Sequence, residues 1–252
     1  DFGMDVAIVE GSDRIGKKIL TTGNGRCNIS NNCIKPPFIN YHSSNSDFKF
    51  SALEKFSLED TKNFFLSLGL PIVSLPNGKL YPQSLQASSV VDILKMALED
   101  RNISLYTNCK VKDIHRGKEF KLSTTNEEFN LFTANKIILA CGGKSAPKTG
   151  SDGSGYKLTK SLGHSITDLL PGIVQLKLDY NHLKALSGIK FDGYVTLLCD
   201  DKAIKKEFGE ILFTDYGISG PPILQISALA SENTFKKNKT EIIVDLMPSY
   251  TL

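Results

Sequence analysis

The sequence predicts an α/β fold followed by a mainly β part. An apolar run at residues 5–10 indicates a buried strand. Apolar side chains at mostly helical spacing over residues 88–100 precede a short strand at residues 103–106, the order expected in an α/β domain. Beyond Pro171 and Gly172 the pattern changes to strands separated by turns. Together these observations indicate two parts of different structural class.

The composition is that of an ordinary globular protein. Of 252 residues, 40% are hydrophobic and 23% are charged, which allows one large core or two smaller ones. The net charge is only +3 and basic residues are mixed with acidic ones, so no nucleic-acid or membrane surface is expected. No apolar run approaches the roughly 20 residues that span a bilayer. We therefore expect a soluble protein of the cytoplasm.

The cysteines indicate neither a disulfide framework nor a metal site. Their number, five, is odd, and their spacing contains no CxxC pair and no zinc-ligand pattern. A reducing compartment fits this usage. Cys27 and Cys33 are too far apart in sequence for the usual redox-active disulfide, so none is expected. No metal site and no catalytic side chain is assigned.

Turns and helices are expected between the first strand and residue 106. Glycines punctuate residues 11–32, where tight turns and positive φ angles are predicted. Residues 48–68 show a helical pattern. Ser57 and Asp60 are placed in it as an N-cap and a near capping box. The helix over residues 88–100 and the strand that follows complete this region.

An antiparallel meander is predicted next. Its three strands are separated by turn-forming residues and cover residues 109–114, 120–124 and 129–132. A strand then returns at residues 136–140 and ends in Cys141, Gly142 and Gly143, where the chain has to turn sharply. Residues 153–162 are predicted to form a helix that Gly163 ends. We assign residues 1–171 to one α/β domain.

Residues 172–252 are assigned to a second, mainly β domain with a short helical piece. Asp200 and Asp201 predict a hairpin turn, and Ser219 with Pro221 predicts the start of a helix at residues 223–230. Strands are predicted at residues 173–178, 194–199, 211–214 and 241–246.

Glu10 and the segment TTGNGRCN, residues 21–28, are the candidates for binding a ligand. In a dinucleotide-binding βαβ unit, a carboxylate at the end of the second strand binds the ribose hydroxyls. Glu10 fits that place, although a carboxylate at a strand end is also commonly only solvated. The glycine-rich segment allows backbone N–H groups to approach a phosphate, with Arg26 offsetting its charge; the alternative is a surface turn.

Four motifs in order resemble the YhiN/BaiN-type family of NAD(P)/FAD-dependent oxidoreductases. Those motifs cover nearly the whole chain and read IVEGSDRIGKKILTTGNGRCNISN, NGKLYPQSLQASSVVDIL, KIILACGGKSAPKTGSDGSGYKLTKSLGH and GEILFTDYGISGPPIL. The resemblance implies a Rossmann-like FAD/NAD(P)-binding domain related to glutathione reductase, with an inserted β-barrel and helical domain.

The resemblance also implies roles for particular residues. Glu10 would bind the adenosine ribose, Val111 would meet the adenine through its backbone, and Lys17 would lie along the pyrophosphate. The loop that would lie along the pyrophosphate and flavin with Lys17 consists of Gly23, Asn24, Gly25, Arg26, Cys27 and Asn28. The residues that would pass close to the cofactor at the end of their strand are Ala140, Gly142 and Gly143.

The chain departs from the family pattern in three places. Members are expected to begin with a strand and a G-x-G-x-x-G turn, and to end with a glycine-rich segment that covers the flavin; neither is present. The loop has Asn24 where consecutive glycines are expected, a change that asparagine tolerates because it adopts left-handed backbone angles. We therefore expect a chain truncated at both ends, with an incomplete α/β domain and an incomplete second domain.

Three functions remain open at this point. The first is a fragment of a flavoprotein that binds FAD and transfers hydride or electrons from NAD(P)H to a small-molecule acceptor. The second is a truncated or decayed gene product that no longer binds FAD. The third is an RNA-modifying flavoprotein, which the low net charge disfavours. The oligomeric state is not predicted.

Overall fold

The structure, a computed structural model, describes residues 3–39, 41 and 48–250. It divides the chain into two units, residues 1–166 and residues 167–252. The strands of the first unit are β1 (Ala7–Val9), β2 (Ser30–Asn31), β3 (Ile72–Ser74), β4 (Lys79–Pro82), β5 (Ser104–Tyr106), β6 (Val111–Arg116), β7 (Phe120–Thr124) and β8 (Leu131–Ala134). Its helices are α1 (Phe48–Lys55), α2 (Leu58–Ser67), α3 (Ala87–Glu99) and α4 (Ser154–Ser161).

The described strands of the first unit form three small sheets. β1 and β5 pair in parallel, with Ile8 opposite Leu105. β2, β4 and β3 form an antiparallel sheet in that order, and β6, β7 and β8 form the antiparallel meander that the sequence predicts. β5 directly follows the helix α3, so the predicted helix-then-strand step is confirmed. It is this parallel pair that ends at Glu10.

The helical region that the sequence predicts over residues 48–68 consists of two helices. α1 ends at Lys55 and α2 begins at Leu58. Ser57 is the N-cap of α2: its hydroxyl accepts the Asp60 backbone N–H, and the Asp60 carboxylate accepts the Ser57 backbone N–H. This confirms the capping box, and the cap itself explains the interruption, since an N-cap residue has extended rather than helical backbone angles.

The predicted strand at residues 136–140 is wrong. These residues have no strand partner in the described part of the chain, and Ile138 is 93% exposed. Ile137 alone packs against the core beneath the meander, which is built on Ile114, Leu122 and Leu158. A strand needs a neighbour for its backbone groups. In the described part of the chain, neither outer edge of the β1–β5 sheet pairs with these residues.

The second unit is built on one antiparallel sheet. Its strands are β9 (Leu176–Lys177), β10 (Lys190–Cys199), β11 (Lys202–Thr214), β12 (Gly217–Ser219) and β13 (Thr240–Asp245), and its helices are α5 (Leu183–Leu186) and α6 (Pro221–Phe235). The strand order is β13-β10-β11-β12-β9. Val195, Leu197 and Ile211 on one face pack against Ile223 and Ile226 of α6, and all five are fully buried.

The turns of the second unit follow the sequence closely. Asp200 and Asp201 join β10 to β11 with φ angles of 47° and 64°, as in the two-residue hairpin that the sequence predicts. α6 has proline in its first turn, also as predicted, but Gly220 is the residue before it and Ser219 ends β12. Within the described ranges, no helix combines the length and apolar character needed to cross a bilayer.

Candidate functional site

Glu10 is held at the end of β1 by its own backbone. Its N–H donates to the Tyr106 carbonyl at 2.8 Å, and its carbonyl accepts the Cys109 N–H at 2.9 Å. One carboxylate oxygen, Oε1, accepts the Ser12 N–H at 2.6 Å. Because the described residues supply no partner for Oε2, that oxygen can accept a hydrogen bond from a ligand hydroxyl.

The loop that follows residue 140 lies close to Glu10. Partial desolvation raises the pKa of the Cys141 thiol, and the negative charges of Glu10 and Asp152 add to that rise. Gly150 approaches the Ser12 hydroxyl, which a Cβ at position 150 would meet at 3.6 Å. These contacts place Gly150 beside Ser12 and the Cys141 thiol within range of the Glu10 charge. That Ala140, Gly142 and Gly143 contact the cofactor stays a prediction.

An ion pair anchors this loop. Lys110 Nζ lies 2.5 Å from Asp152 Oδ2, and Asp152 Oδ1 accepts the Ser154 N–H at the first turn of α4. The hydrogen bond from Lys110 holds the pKa of the Asp152 carboxyl well below its ordinary 3.8, and the bonds from Ser154 lower it further. Asp152 is therefore ionised at neutral pH and fixes the loop between β6 and α4.

Gly142 makes its turn directly against Ser151. Its φ of 71° lies in the left-handed region, and a Cβ at this position would stand 2.9 Å from Ser151 Oγ. Ser151 itself is only 4% exposed. Glycine is therefore required at position 142 by both its backbone angle and the close approach of Ser151.

Lys17 and Lys18, which are adjacent in the turn that follows β1, have different partners. Lys17 Nζ lies 3.2 Å from Asp13 Oδ1, an exposed pair four residues apart that lowers the pKa of Asp13. Lys18 Nζ instead donates to Ser145 Oγ at 2.8 Å and to Ser151 Oγ at 3.0 Å. The sequence motifs singled out Lys17 and passed over Lys18, Ser145 and Ser151.

The glycine-rich loop is a short 3₁₀ turn over Gly23–Gly25. Asn24 has a φ of 56°, so it adopts the left-handed angle that its residue type permits. A Cβ on Gly23 or on Gly25 would meet no described heavy atom within 4 Å, so the backbone of this turn is open to a ligand. Arg26 is exposed, and no carboxylate of the described residues pairs with it.

Cys27 and Asn28 turn towards the protein. Cys27 is 9% exposed and packs with Leu70, Ala87 and Val90, so burial raises the pKa of its thiol. Asn28 Nδ2 donates to the carbonyls of Ser30 and Leu80, both at 3.2 Å. The side chains of both residues therefore hold the loop in place. No described hydrogen bond joins this loop to residues 140–143.

Val111 begins β6 with a half-buried side chain. That side chain packs against the core formed by Ile114, Leu122 and Leu158. A bulge between Val111 and Asp113 shifts the β6–β7 register at this point.

A cleft of about 360 Å³ lies beside the turn that follows β1. Arg14, Leu20, Val91 and Leu105 are among its lining residues. None of the residues predicted from the sequence lines it, so it adds nothing to the site around Glu10. Among the described residues, no three His, Cys, Asp or Glu side chains cluster so that they could hold a metal ion.

The residues present fit an extended anionic dinucleotide. Glu10 offers a carboxylate oxygen for ribose hydroxyls, and Lys18 and Arg26 are cations without a described carboxylate partner. The turn at Gly23–Gly25 exposes backbone to the ligand side. A carboxylate at the end of a parallel strand together with separate cations and open glycine backbone is the chemistry that such a cofactor requires.

Two family models match the chain. The HI0933-like protein Rossmann domain matches residues 1–208, and the HI0933-like protein barrel and H2TH domain matches residues 170–252. These matches confirm the fold class that the sequence predicts, a Rossmann-like domain combined with a barrel and helical domain. They also confirm the resemblance on which the predicted cofactor roles depend.

Three curated relatives are similar along the chain. A 3-dehydro-bile acid delta(4,6)-reductase of Clostridium scindens is 36% identical over 98% of this chain and 59% of its own length. Ribosomal RNA dihydrouridine synthases of Haemophilus influenzae and Escherichia coli are each 27% identical, over 100% and 99% of this chain and 60% of their own lengths. The chain thus spans about three-fifths of the curated relatives that it matches.

Proposed function

Because the chain belongs to the HI0933-like family, we propose that it carries the FAD-binding region of an FAD-dependent oxidoreductase. The observation that carries the proposal is the position of Glu10. Its carboxylate follows the parallel strand β1 and is oriented by the Ser12 N–H, and its charge acts on the thiol of Cys141, which precedes Gly142 in sequence. A ribose-binding carboxylate needs this arrangement.

In this proposal the protein binds and orients the cofactor. Bound FAD would supply the hydride and electron transfer, so no acid or base of the chain is required for that step. Glu10 accepts hydrogen bonds from the ribose hydroxyls, and Val111 meets the adenine through its backbone. The residues along the rest of the cofactor are Lys17, Gly23, Asn24, Gly25, Arg26, Cys27, Asn28, Ala140, Gly142 and Gly143.

The proposed electron donor is NAD(P)H and the proposed acceptor is a small organic molecule. One relative is named as a reductase of a 3-dehydro-bile acid at delta(4,6). By similarity to it we take the acceptor class to be unsaturated or oxo-containing small molecules. The 36% identity over 98% of the chain also does not favour a decayed gene product.

The test is the flavin content and reduction of the purified protein, produced from its complete reading frame. We expect the visible absorbance of oxidised flavin at about one FAD per polypeptide, and bleaching of that absorbance by NADH or NADPH without oxygen. Adding an α,β-unsaturated ketone should restore the colour. A protein without flavin that also fails to bind added FAD would contradict the proposal.

A second candidate function is the reduction of uridine in ribosomal RNA. It is favoured by the two dihydrouridine synthases among the relatives, although their 27% identity is lower than that of the reductase. Tyr194 and Phe208 lie together on the open face of the second sheet, with Lys206 over the Tyr194 ring. Aromatic rings beside a cation can stack RNA bases.

The charges of that open face weigh against RNA. By register, Lys177, Lys190 and Lys206 share the face with four carboxylates, those of Asp192, Glu210, Glu241 and Asp245. Phosphate would be repelled by this excess of negative charge. The two functions are separated by measuring dihydrouridine in ribosomal RNA from cells with and without the gene. Loss of dihydrouridine on deletion would replace the small-molecule acceptor with RNA.

A further inference from the structure

We propose that Lys18, positioned by Ser145 and Ser151, is the lysine that neutralises the cofactor's pyrophosphate. This inference rests on the proposed function and changes one of its assignments, because the sequence motifs gave that place to Lys17. Ser145 and Ser151 lie 127 and 133 residues after Lys18 in the sequence. No sequence pattern within one segment could show this contact.

The first argument is charge compensation. The Lys17 ammonium lies 3.2 Å from the Asp13 carboxylate, so much of its charge is already neutralised. Lys18 donates to two neutral hydroxyls, and no described carboxylate pairs with it. An ammonium held by hydroxyls keeps its full positive charge for an anion, and its third N–H remains free to donate.

The second argument is position. Ser151, which accepts from Lys18 at 3.0 Å, is 4% exposed and lies directly against Gly142. The Lys18 ammonium is thereby fixed beside the turn of residues 142–143, which the family motif places along the cofactor. Two hydroxyls holding one flexible lysine reduce the conformational entropy that it would otherwise lose on binding an anion.

The third argument is the local backbone. Ile19 and Leu20 both donate to the Gly16 carbonyl, at 3.0 and 3.3 Å, which makes residues 16–20 a helical turn. Successive side chains of such a turn point about 100° apart. Lys17 and Lys18 therefore leave the turn in different directions, Lys17 towards Asp13 and Lys18 towards the loop that carries Ser145 and Ser151.

The test compares ligand affinities of the full protein after removal of its flavin. The variants are Lys18→Met, Lys18→Arg and Lys17→Met, with Lys118→Met as a control for loss of one exposed lysine in the β6–β7 turn. The ligands are FAD, ADP and adenosine, titrated by calorimetry at two salt concentrations. ADP carries the diphosphate and adenosine does not, so their comparison isolates the phosphate contact.

We expect Lys18→Met to weaken the binding of FAD and ADP by about 10- to 100-fold, because one charge-assisted hydrogen bond is lost. The affinity for adenosine should not change. The salt dependence of ADP binding should decrease in this variant. Lys18→Arg should retain most of the affinity. Lys17→Met should weaken ADP less than Lys18→Met does, and Lys118→Met should match the unmodified protein.

A larger loss of ADP affinity in Lys17→Met than in Lys18→Met would overturn the inference. So would an equal loss of ADP and adenosine in Lys18→Met, because that pattern indicates a structural defect. A Ser145→Ala, Ser151→Ala double variant provides a second test if Lys18→Met folds poorly: the ammonium remains but loses both of its acceptors, and ADP affinity should still fall. If the unmodified protein binds neither FAD nor ADP, the proposed function fails together with this inference.

Discussion

Gly142 and Ser151 are in such close contact that a single methyl group cannot fit between them. A Cβ on Gly142 would lie 2.9 Å from Ser151 Oγ, and Ser151 in turn accepts a hydrogen bond from Lys18. The backbone of Gly142 also has a φ of 71°, which residues with a side chain rarely adopt. The shape of the residue 142 turn is therefore coupled to the position of the Lys18 ammonium.

Gly142→Ala should lower FAD affinity by about tenfold, because Ser151 must move and takes the Lys18 ammonium with it. The matched control is Gly163→Ala, at φ 90° with no described atom near its Cβ position. That control carries the same backbone penalty without the clash. Fluorescence titration of flavin-free protein measures both, and an equal loss of FAD affinity in Gly163→Ala would reject the coupling.

Glu10→Ala should weaken FAD binding by at least about tenfold, because the ribose hydroxyls lose a charged acceptor. It also removes the acceptor of the Ser12 N–H. Glu10→Gln keeps a carbonyl oxygen for that N–H and should lose less affinity. Riboflavin lacks the adenosine, so the unmodified protein, Glu10→Ala and Glu10→Gln should all bind it with the same, weaker affinity. A change in riboflavin binding would show that Glu10 acts on the fold and not on the ribose.

Gly16→Ala should destabilise the first unit by about 3 kcal/mol. Its φ is 71°, and the added methyl would lie 2.8 Å from Val91 Cγ2 on the buried face of α3. Urea denaturation measures the loss. Because Val91→Ala removes the clashing methyls, the double variant should be more stable than the sum of the single losses predicts. Simple additivity would mean that the turn and α3 are not in contact at this point.

The Lys110–Asp152 pair should contribute to stability at neutral pH and lose that contribution in acid. The pKa of Asp152 in the folded protein lies below 3.8, so the unfolded state binds a proton first as pH falls. Asp152→Asn should therefore cost about 0.5–1.5 kcal/mol at pH 7, a modest value since both side chains are partly exposed. The deficit should shrink as pH drops below about 4, which denaturation at a series of pH values would show. A deficit independent of pH would contradict the assignment.

The cysteines should react with iodoacetamide in an order set by their burial. Cys33 is exposed, whereas Cys27 is 9% exposed and its thiol pKa is raised by that burial. At pH 8 we expect rapid alkylation of Cys33 and slow alkylation of Cys27, which should become rapid in urea. Peptide mass spectrometry identifies the labelled residue, and Cys33→Ser provides the control. Rapid labelling of Cys27 in the native protein would show that residues 23–28 do not pack against α3.

Much of the fold could be predicted from the sequence because it depends on local patterns. The periodicity of residues 88–100 predicts α3, Ser57 and Asp60 predict the cap of α2, and Asp200 with Asp201 predicts the β10–β11 hairpin. Each is a property of a few neighbouring residues, and each is present in the structure. The order of the four motifs was equally local, and it was sufficient to recognise the family.

Contacts between distant segments could not be predicted in this way. Residues 137–140 form an apolar run that predicts a strand, yet no neighbour in the described sheet pairs with them, and strand formation requires that neighbour. Lys17 and Lys18 are likewise equivalent in sequence. The turn at residues 16–20 and the packing of Ser145 and Ser151 against it decide which lysine lacks a carboxylate partner. The sequence by itself determined the fold class, the family and the candidate cofactor, whereas the tertiary structure decided which side chains meet, because such contacts depend on chain reversals far apart in sequence.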